Sequence, residues 1–348
     1  MIDFEIARTL FMAAIVAFSV GMYVVLDGFD LGLGILFPIA NDAALRDRMM
    51  GSIAPFWDGN ETWLVFGGAV LLAMFPLSFS IILPAVYLPL IVMLLALILR
   101  GVAFEFRFKH QPRSWVWDAA FAGGSTVAAF SQGVVLGTFL QGIPVANGRY
   151  AGGEWDWLNP FSVMTGAALI VGYALLASGW LFWRADEVLR RKAASWTPWL
   201  LAGLLAAIVV VSVWTPFMSP SIAARWFDFP ASLVFVPVPL LTAACALMML
   251  RCVRREQSSA WPFALGIGLF FLSYTGMAIS IFPMLPPPSV SLFEAASSDA
   301  SQRFLLPGLL VLLPVIIAVT WRNYRIFHVP GNEGAEDDSV AAEGPARY

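Results

Sequence analysis

The sequence predicts an all-α polytopic membrane protein, with nine transmembrane helices arranged as helix bundles, the N-terminus outside and the C-terminus in the cytoplasm. Three observations carry that prediction. The 348 residues are 59% hydrophobic and 12% charged, against about 25% charged in an average soluble domain, so a bilayer suits this surface better than water. Nine apolar runs reach the roughly 20 residues that a helix needs to cross the hydrocarbon core. The basic residues are also divided very unevenly between the connections.

In chain order the runs lie near 8–37, 52–75, 79–104, 119–141, 161–183, 198–217, 231–252, 262–283 and 304–325. Only Pro76 to Ser78 separates the second from the third, which predicts a tight membrane hairpin. The first run does not read as a cleaved signal peptide. Asp3 and Glu5 precede it, it is too long, and no small-residue cleavage site follows. Trp115, Trp117, Trp155, Trp157, Trp196 and Trp199 flank the runs, as an interfacial aromatic belt does. Cys245 and Cys252 are too few for a disulfide or zinc framework and read as membrane packing. Residues 1–330 are expected to form a single transmembrane domain, and residues 331–348, acidic and small, a disordered cytoplasmic tail. Residues 1–330 carry 19 Lys/Arg and 18 Asp/Glu, and no basic stripe points to nucleic acid.

Orientation follows from the bias of Lys and Arg toward the cytoplasm. The connections after the first, third, fifth and seventh runs, with the C-terminal end, hold 16 basic residues; the opposite side holds four, Arg8, Arg149, Arg225 and Arg303. The connections at 142–160 and 284–303 then lie outside, and their Gly, Pro, Ser and Trp content predicts short lids.

Ionisable residues inside a membrane are costly and mark function by default. The first run carries Asp27 and Asp30, the second opens with Asp58 and Glu61, and the third ends in Arg100 and Glu105. Three-residue spacing places each acidic pair on neighbouring parts of one helix face. With the orientation above, all three segments bring polar groups to a similar depth near the cytoplasmic surface. One reading is structural, with Arg100 paired to a carboxylate and Asn60 and Thr62 satisfying the rest, since buried charges need partners. The other is a hydrated cytoplasmic inlet for a proton or cation. Gly28 with Gly32, and Gly133 with Gly137, stand four apart and permit close helix contacts. Gln132 and Gln141 are candidates for a hydrogen bond to a neighbour or a bound headgroup.

Both histidines, His110 and His328, fall outside the runs, and a buried haem usually takes a histidine ligand. Methionines within the runs (Met12, Met22, Met74, Met93, Met164 and Met277) read as packing. No Walker motif, Gly-rich phosphate loop, CxxC pair or Ser/His/Asp constellation appears. The expectation is a chain with no metal site and no catalytic residues of its own.

At Asp27-Gly28-Phe29-Asp30-Leu31-Gly32 and Ile53-Ala54-Pro55-Phe56-Trp57-Asp58-Gly59-Asn60-Glu61-Thr62-Trp63 the sequence resembles subunit II of cytochrome bd-type quinol oxidases. The likeness continues through Arg100-Gly101-Val102-Ala103-Phe104-Glu105, Leu140-Gln141-Gly142-Ile143-Pro144, Leu158-Asn159-Pro160-Phe161 and Ile281-Phe282-Pro283-Met284. The compact length and Phe104-Glu105-Phe106-Arg107 look most like the cyanide-insensitive branch. The resemblance implies a multi-pass protein of the bacterial inner membrane, partnered by a subunit I that holds two b-type haems and a third haem of d or b type. Subunit I oxidises quinol and reduces oxygen to water, while subunit II lacks haem and completes the complex. A single-helix accessory subunit, a bound quinone and lipids are further partners that the resemblance allows. Asp58 matches the family position proposed to start a proton path from the cytoplasm, with Asp27, Asp30, Glu61, Arg100 and Glu105 around it. Trp57, Gly59, Asn60 and Trp63 complete the motif. Position 56 is Phe where some members have His, and position 61 is Glu where some have Gln. Two rival readings are a secondary cation-coupled transporter and a purely structural or assembly subunit. Haem that co-purifies with the tagged chain separates the oxidase reading from the transporter.

Overall fold

The computed structural model describes residues 2–107, 114–218, 220–229, 231–255 and 258–326. Thirteen α-helices follow in order: α1 Ile2–Leu36, α2 Ala43–Gly51, α3 Trp57–Met74, α4 Pro76–Ala85, α5 Tyr87–Arg107, α6 Ser114–Gln141, α7 Pro160–Arg184, α8 Glu187–Met218, α9 Pro220–Phe227, α10 Pro237–Arg254, α11 Trp261–Ile281, α12 Leu292–Ala295 and α13 Asp299–Ile326. Among the described residues, eight helices are long and apolar enough to cross a membrane: α1, α5, α6, α7, α8, α10, α11 and α13. The expected second run corresponds to α3, which has 18 residues. Its opening turns hold Asp58, Asn60 and Glu61, and these keep it below the apolar content of the others. The predicted acidic tail lies outside the described residues.

The third expected run is two helices rather than one. Val86, at φ −127° and ψ 19°, leaves the helical region between α4 and α5. Pro89 lies four residues after Ala85 and has no N–H to give to the Ala85 carbonyl, so an unbroken helix is disfavoured at this point. The hairpin before it is tighter than expected, because α4 starts at Pro76 directly after Phe75. Proline suits this first helical position, where its missing N–H would have had no partner.

Helices α1 and α7 lie at the centre. α1 packs on α3, α6 and α7, while α7 also packs on α6, α8 and α11. The contact between them depends on small residues. A side chain at Gly28 would meet the Tyr173 ring, and one at Gly32 would meet the Tyr173 carbonyl and the Ala177 Cβ. Gly133 and Gly137 bring α6 equally close to Thr165, Gly166 and Ser162 of α7. Both small-residue pairs therefore serve helix contacts within this chain. One apolar core joins α1, α2, α5, α6, α7, α8, α10 and α11, and a second lies where α1 and α3 meet α4 and the loops at their end of the bundle. Cys245 and Cys252 are free, half-buried thiols on α10. α13 is the peripheral element, packed mainly against α3.

Between α6 and α7, strands β1 (Val145–Ala146) and β2 (Arg149–Tyr150) form an antiparallel hairpin. Asn147 and Gly148 take φ values of 52° and 70°, the left-handed pair that a two-residue hairpin turn demands. α7 starts with a capping box: Asn159 Oδ1 accepts from Ser162 N at 2.9 Å, and Ser162 Oγ accepts from Asn159 N at 3.1 Å. Asn159→Ala is expected to cost about 1 kcal/mol, read as a lower apparent melting temperature, while Asn159→Asp retains most of the wild-type stability.

Candidate functional site

Three helices converge on one guanidinium. Asp27 and Asp30 stand three residues apart in the second half of α1, Asn60 and Glu61 lie in the opening turns of α3, and Arg100 sits two turns before the end of α5. Arg100 Nη1 donates to Asp27 Oδ1 at 2.7 Å, and both side chains are 1% exposed. Its Nη2 lies 3.2 Å from Glu61 Oε1, whose side chain is 29% exposed. Trp57 places its ring 5.7 Å from the guanidinium carbon, a cation–π contact on the remaining face. Asn60 Nδ2 donates to Asp30 Oδ2 at 2.7 Å and to the Leu26 carbonyl at 3.2 Å, and Tyr324 of α13 donates to Asn60 Oδ1 at 3.0 Å.

The pairing is incomplete. Among the described residues, Asp27 Oδ2 and Asp30 Oδ1 are buried without a hydrogen-bond partner, while Glu61 Oε1 and Arg100 Nη2 meet each other as an ion contact outside hydrogen-bond geometry. Buried polar atoms are normally satisfied, and exceptions occur where a site does chemistry or holds water. Among the described residues, one cation, Arg100, faces three carboxylates here, Asp27, Asp30 and Glu61.

Of the six charged residues that sequence reasoning singled out, the structure joins Asp27, Asp30, Glu61 and Arg100. Asp58 and Glu105 lie on exposed faces of α3 and α5. Asp58 is in the first turn of α3, where the helix dipole favours a negative charge. Trp63 is fully buried, with the Phe18 ring 5.7 Å away edge-on. Gly59 faces Asn323 of α13.

Several neighbours of the cluster are not legible in the sequence. Gln132 Nε2 donates to the Tyr23 hydroxyl at 2.7 Å, Tyr173 donates to Gln132 Oε1 at 2.6 Å, and Tyr23 lies beside Asp27. An intramembrane glutamine needs partners, so Gln132 was signalled; the two tyrosines were not. A second ion network lies at the end of the bundle where the basic connections gather. Asp118 accepts from Arg46 and from Arg107, each at 2.5 Å, Arg107 also pairs with Asp47, and Arg48 reaches Asp186 at 2.5 Å. This network ties the connection after α1 to α5, α6 and the α7–α8 turn. At the opposite end Arg8, almost wholly buried, pairs with Asp299 and donates to Gln302 Oε1 at 2.9 Å. His110 and His328 lie outside the described residues. No group of three or more His, Cys, Asp or Glu side chains suited to a metal occurs among the described residues.

Fold and site together define a multi-pass α-helical membrane protein with an ion cluster embedded at the junction of three of its helices. The chain belongs to the cytochrome bd terminal oxidase subunit II family, whose pattern matches residues 8–327. It is 27% identical to the probable cytochrome oxidase subunit 2 of Haemophilus influenzae, over 94% of this chain and 96% of that one. It is also 27% identical to the cytochrome bd ubiquinol oxidase subunit 2 of Bacillus subtilis, over 87% and 90%. The cytochrome bd-I ubiquinol oxidase subunit 2 of Escherichia coli K12 is 26% identical, over 94% and 96%. A chain of the bd oxidase from Geobacillus thermodenitrificans superposes with a TM-score of 0.63, covering 92% of this chain and 99% of that chain at 12% identity, a likeness of fold. The protein is thus a multi-pass component of the bacterial cytoplasmic membrane, part of an oxidoreductase complex, and implies a partner subunit I.

Proposed function

We propose that this chain is the haem-free subunit II of a bd-type quinol:oxygen oxidoreductase, which stabilises the haem-bearing subunit I and admits protons from the cytoplasm. The observation that carries the proposal is the buried cluster of Asp27, Asp30, Glu61 and Arg100, with more carboxylates than cations. In this reading the end of the bundle rich in Arg46, Arg48, Arg107 and Arg184 faces the cytoplasm. Asp58 and Glu105, exposed near that end, collect protons, and the buried carboxylates pass them inward toward the oxygen-reducing haem of subunit I. Quinol oxidised toward the outer face releases its protons there, so turnover separates charge across the membrane.

The residues of this chain do not favour a haem of its own. Most of its fully buried methionines are packed in apolar cores, and its two histidines lie beyond the apolar runs. The two b-type haems and the third haem, of d or b type, are assigned to subunit I. A single-helix accessory subunit, a bound quinone and lipids complete the proposed assembly, and residues 1–330 act as one transmembrane domain.

The test is Asp58→Asn in the assembled, haem-replete complex. The expected result is a loss of quinol oxidase turnover of about tenfold or more, in line with the usual contribution of a proton-transferring group, with the haem spectrum unchanged. Wild-type turnover would sink the inlet reading.

A further inference from the structure

The end of the bundle opposite the Arg46–Asp118–Arg107 network carries a pocket of about 510 Å³ that plays no part in the proton inlet. Ligand sites commonly have volumes of about 300–1,000 Å³. Two helix ends open into this one. α6 stops there at Gln141 and α4, which packs on α3, β2 and α12, stops there at Ala85. The last carbonyls of a helix carry its negative partial charge. The Ala85 carbonyl also lacks its helical donor, because Pro89 stands where that N–H would come from.

Asp156 adds a full negative charge to the same wall. Its Oδ2 accepts from Gly153 N at 2.9 Å and lies 3.3 Å from the Tyr150 hydroxyl, which donates to the Gly153 carbonyl at 2.7 Å. A side chain at Gly152 would collide with Asp156 Oδ2 and with Tyr150, so the loop is shaped around this carboxylate. Asn159, the cap of α7, holds it from the other side by donating from Nδ2 to the Asp156 carbonyl at 3.1 Å. Among the described residues, Asp156 Oδ1 accepts no hydrogen bond, Asp156 forms no ion pair, and the Gln141 amide is uncommitted. No Lys or Arg among them lines the pocket. Arg149 precedes Tyr150 on β2, and alternation along a strand turns it to the opposite face. Trp155 forms an aromatic wall, its ring 5.7 Å from that of Trp157. Trp155 and Leu158 are 62% and 52% exposed, as suits side chains at the rim of a membrane interface.

We infer that this pocket binds the ammonium headgroup of a zwitterionic membrane phospholipid, phosphatidylethanolamine by its chemistry, in the leaflet at this end of the bundle. In the orientation proposed above that leaflet is the outer one. The ammonium N–H groups meet Asp156 Oδ1, the Ala85 carbonyl and Gln141 Oε1, while the Trp155 ring covers a further face as a cation–π partner. The acyl chains leave past Leu158. Without a basic side chain in its wall, the pocket offers nothing to an anionic headgroup such as that of phosphatidylglycerol. The inference rests on the lipid partnership proposed above, to which it gives a place and a headgroup, and it does not depend on the proton inlet.

The experiment is native mass spectrometry of the assembled complex, stripped of co-purified lipid in detergent and titrated with phosphatidylethanolamine or phosphatidylglycerol of the same acyl chains. The wild type is expected to bind phosphatidylethanolamine about tenfold or more tighter, the size of one charge-assisted hydrogen bond. Asp156→Asn should erase that preference. Trp155→Leu removes the ring and keeps an apolar side chain, and should weaken phosphatidylethanolamine binding about threefold. Gln141→Leu should do the same by loss of one neutral hydrogen bond, and these two variants decide the matter if the asparagine variant does not assemble. Equal binding of the two lipids by the wild type overturns the site, as does a preference that Asp156→Asn, or both of the other variants, leave untouched. Free ethanolamine at the same concentration should not displace the lipid; displacement would identify a soluble amine as the occupant and overturn the lipid assignment. Asp58→Asn should keep the lipid preference whatever it does to turnover, so failure of the inlet and failure of this site are told apart.

Discussion

Arg100→Met is expected to prevent assembly of a stable complex. The substitution keeps an unbranched, flexible side chain and removes the cation that, among the described residues, faces Asp27, Asp30 and Glu61 at contact or neighbouring distance. Breaking a buried pair from one side costs about 3–5 kcal/mol, because the remaining charge stays desolvated without compensation. Native folds have only about 5–15 kcal/mol in total, so a loss of this size reads as absent or poorly haem-loaded complex in the membrane. The double variant Arg100→Met/Asp27→Asn removes both members of the shortest pair and should recover a good part of the yield. If the single variant assembles with an unchanged melting temperature, the ion cluster is not what joins α1, α3 and α5. Rescue in the double variant without return of turnover would separate the stability of the cluster from its role in proton transfer.

The second large effect is expected at Gly32. Its Cα faces the backbone of α7 closely enough that any side chain would overlap the Tyr173 carbonyl and lie 2.8 Å from the Ala177 Cβ. Backbone on both sides cannot swing away as a flexible side chain would, so Gly32→Leu forces α1 and α7 apart at the centre of the fold. Overpacking of a core costs about 1–3 kcal/mol, and this site belongs at the top of that range or beyond it because two helices must shift together. Displacing α1 also displaces Asp30, two residues earlier on the same helix, so quinol oxidase turnover should fall along with stability. Gly123→Ala is the control, since nothing lies within 4 Å of an added Cβ there, and alanine should leave stability unchanged or raise it by roughly 1 kcal/mol through helix propensity. Equal melting temperatures for the Gly32→Leu and wild-type complexes would contradict the packing.

Much of the fold is legible because bilayer thickness acts on single segments. The runs at 161–183 and 262–283 return as α7 Pro160–Arg184 and α11 Trp261–Ile281 almost residue for residue, since Asn159 caps one and proline opens both. The run at 79–104 was less legible. Its hydropathy is continuous across Val86, and the break depends on where Pro89 withholds an N–H, which hydropathy does not see. Of the site, the charged residues were visible because charge in an apolar run is conspicuous. Tyr324 was not, since a tyrosine among Trp321, Arg322 and Arg325 reads as an interfacial anchor. Asp118 likewise looked like an ordinary residue between Trp117 and the next run, yet it clamps Arg46 and Arg107.

By itself, then, the sequence determined the solvent of this protein, the position of most of its spans, and the identity of the charges placed among them. Each depends on residue type and on spacing along one chain. Which carboxylate meets Arg100, which meets only a neutral amide, and which faces outward depended on how α1, α3, α5 and α13 rotate about their axes when they pack. That rotation is set by contacts such as Gly32 against Tyr173 and Phe56 against Tyr324, between residues far apart in sequence, and only the tertiary structure could decide it.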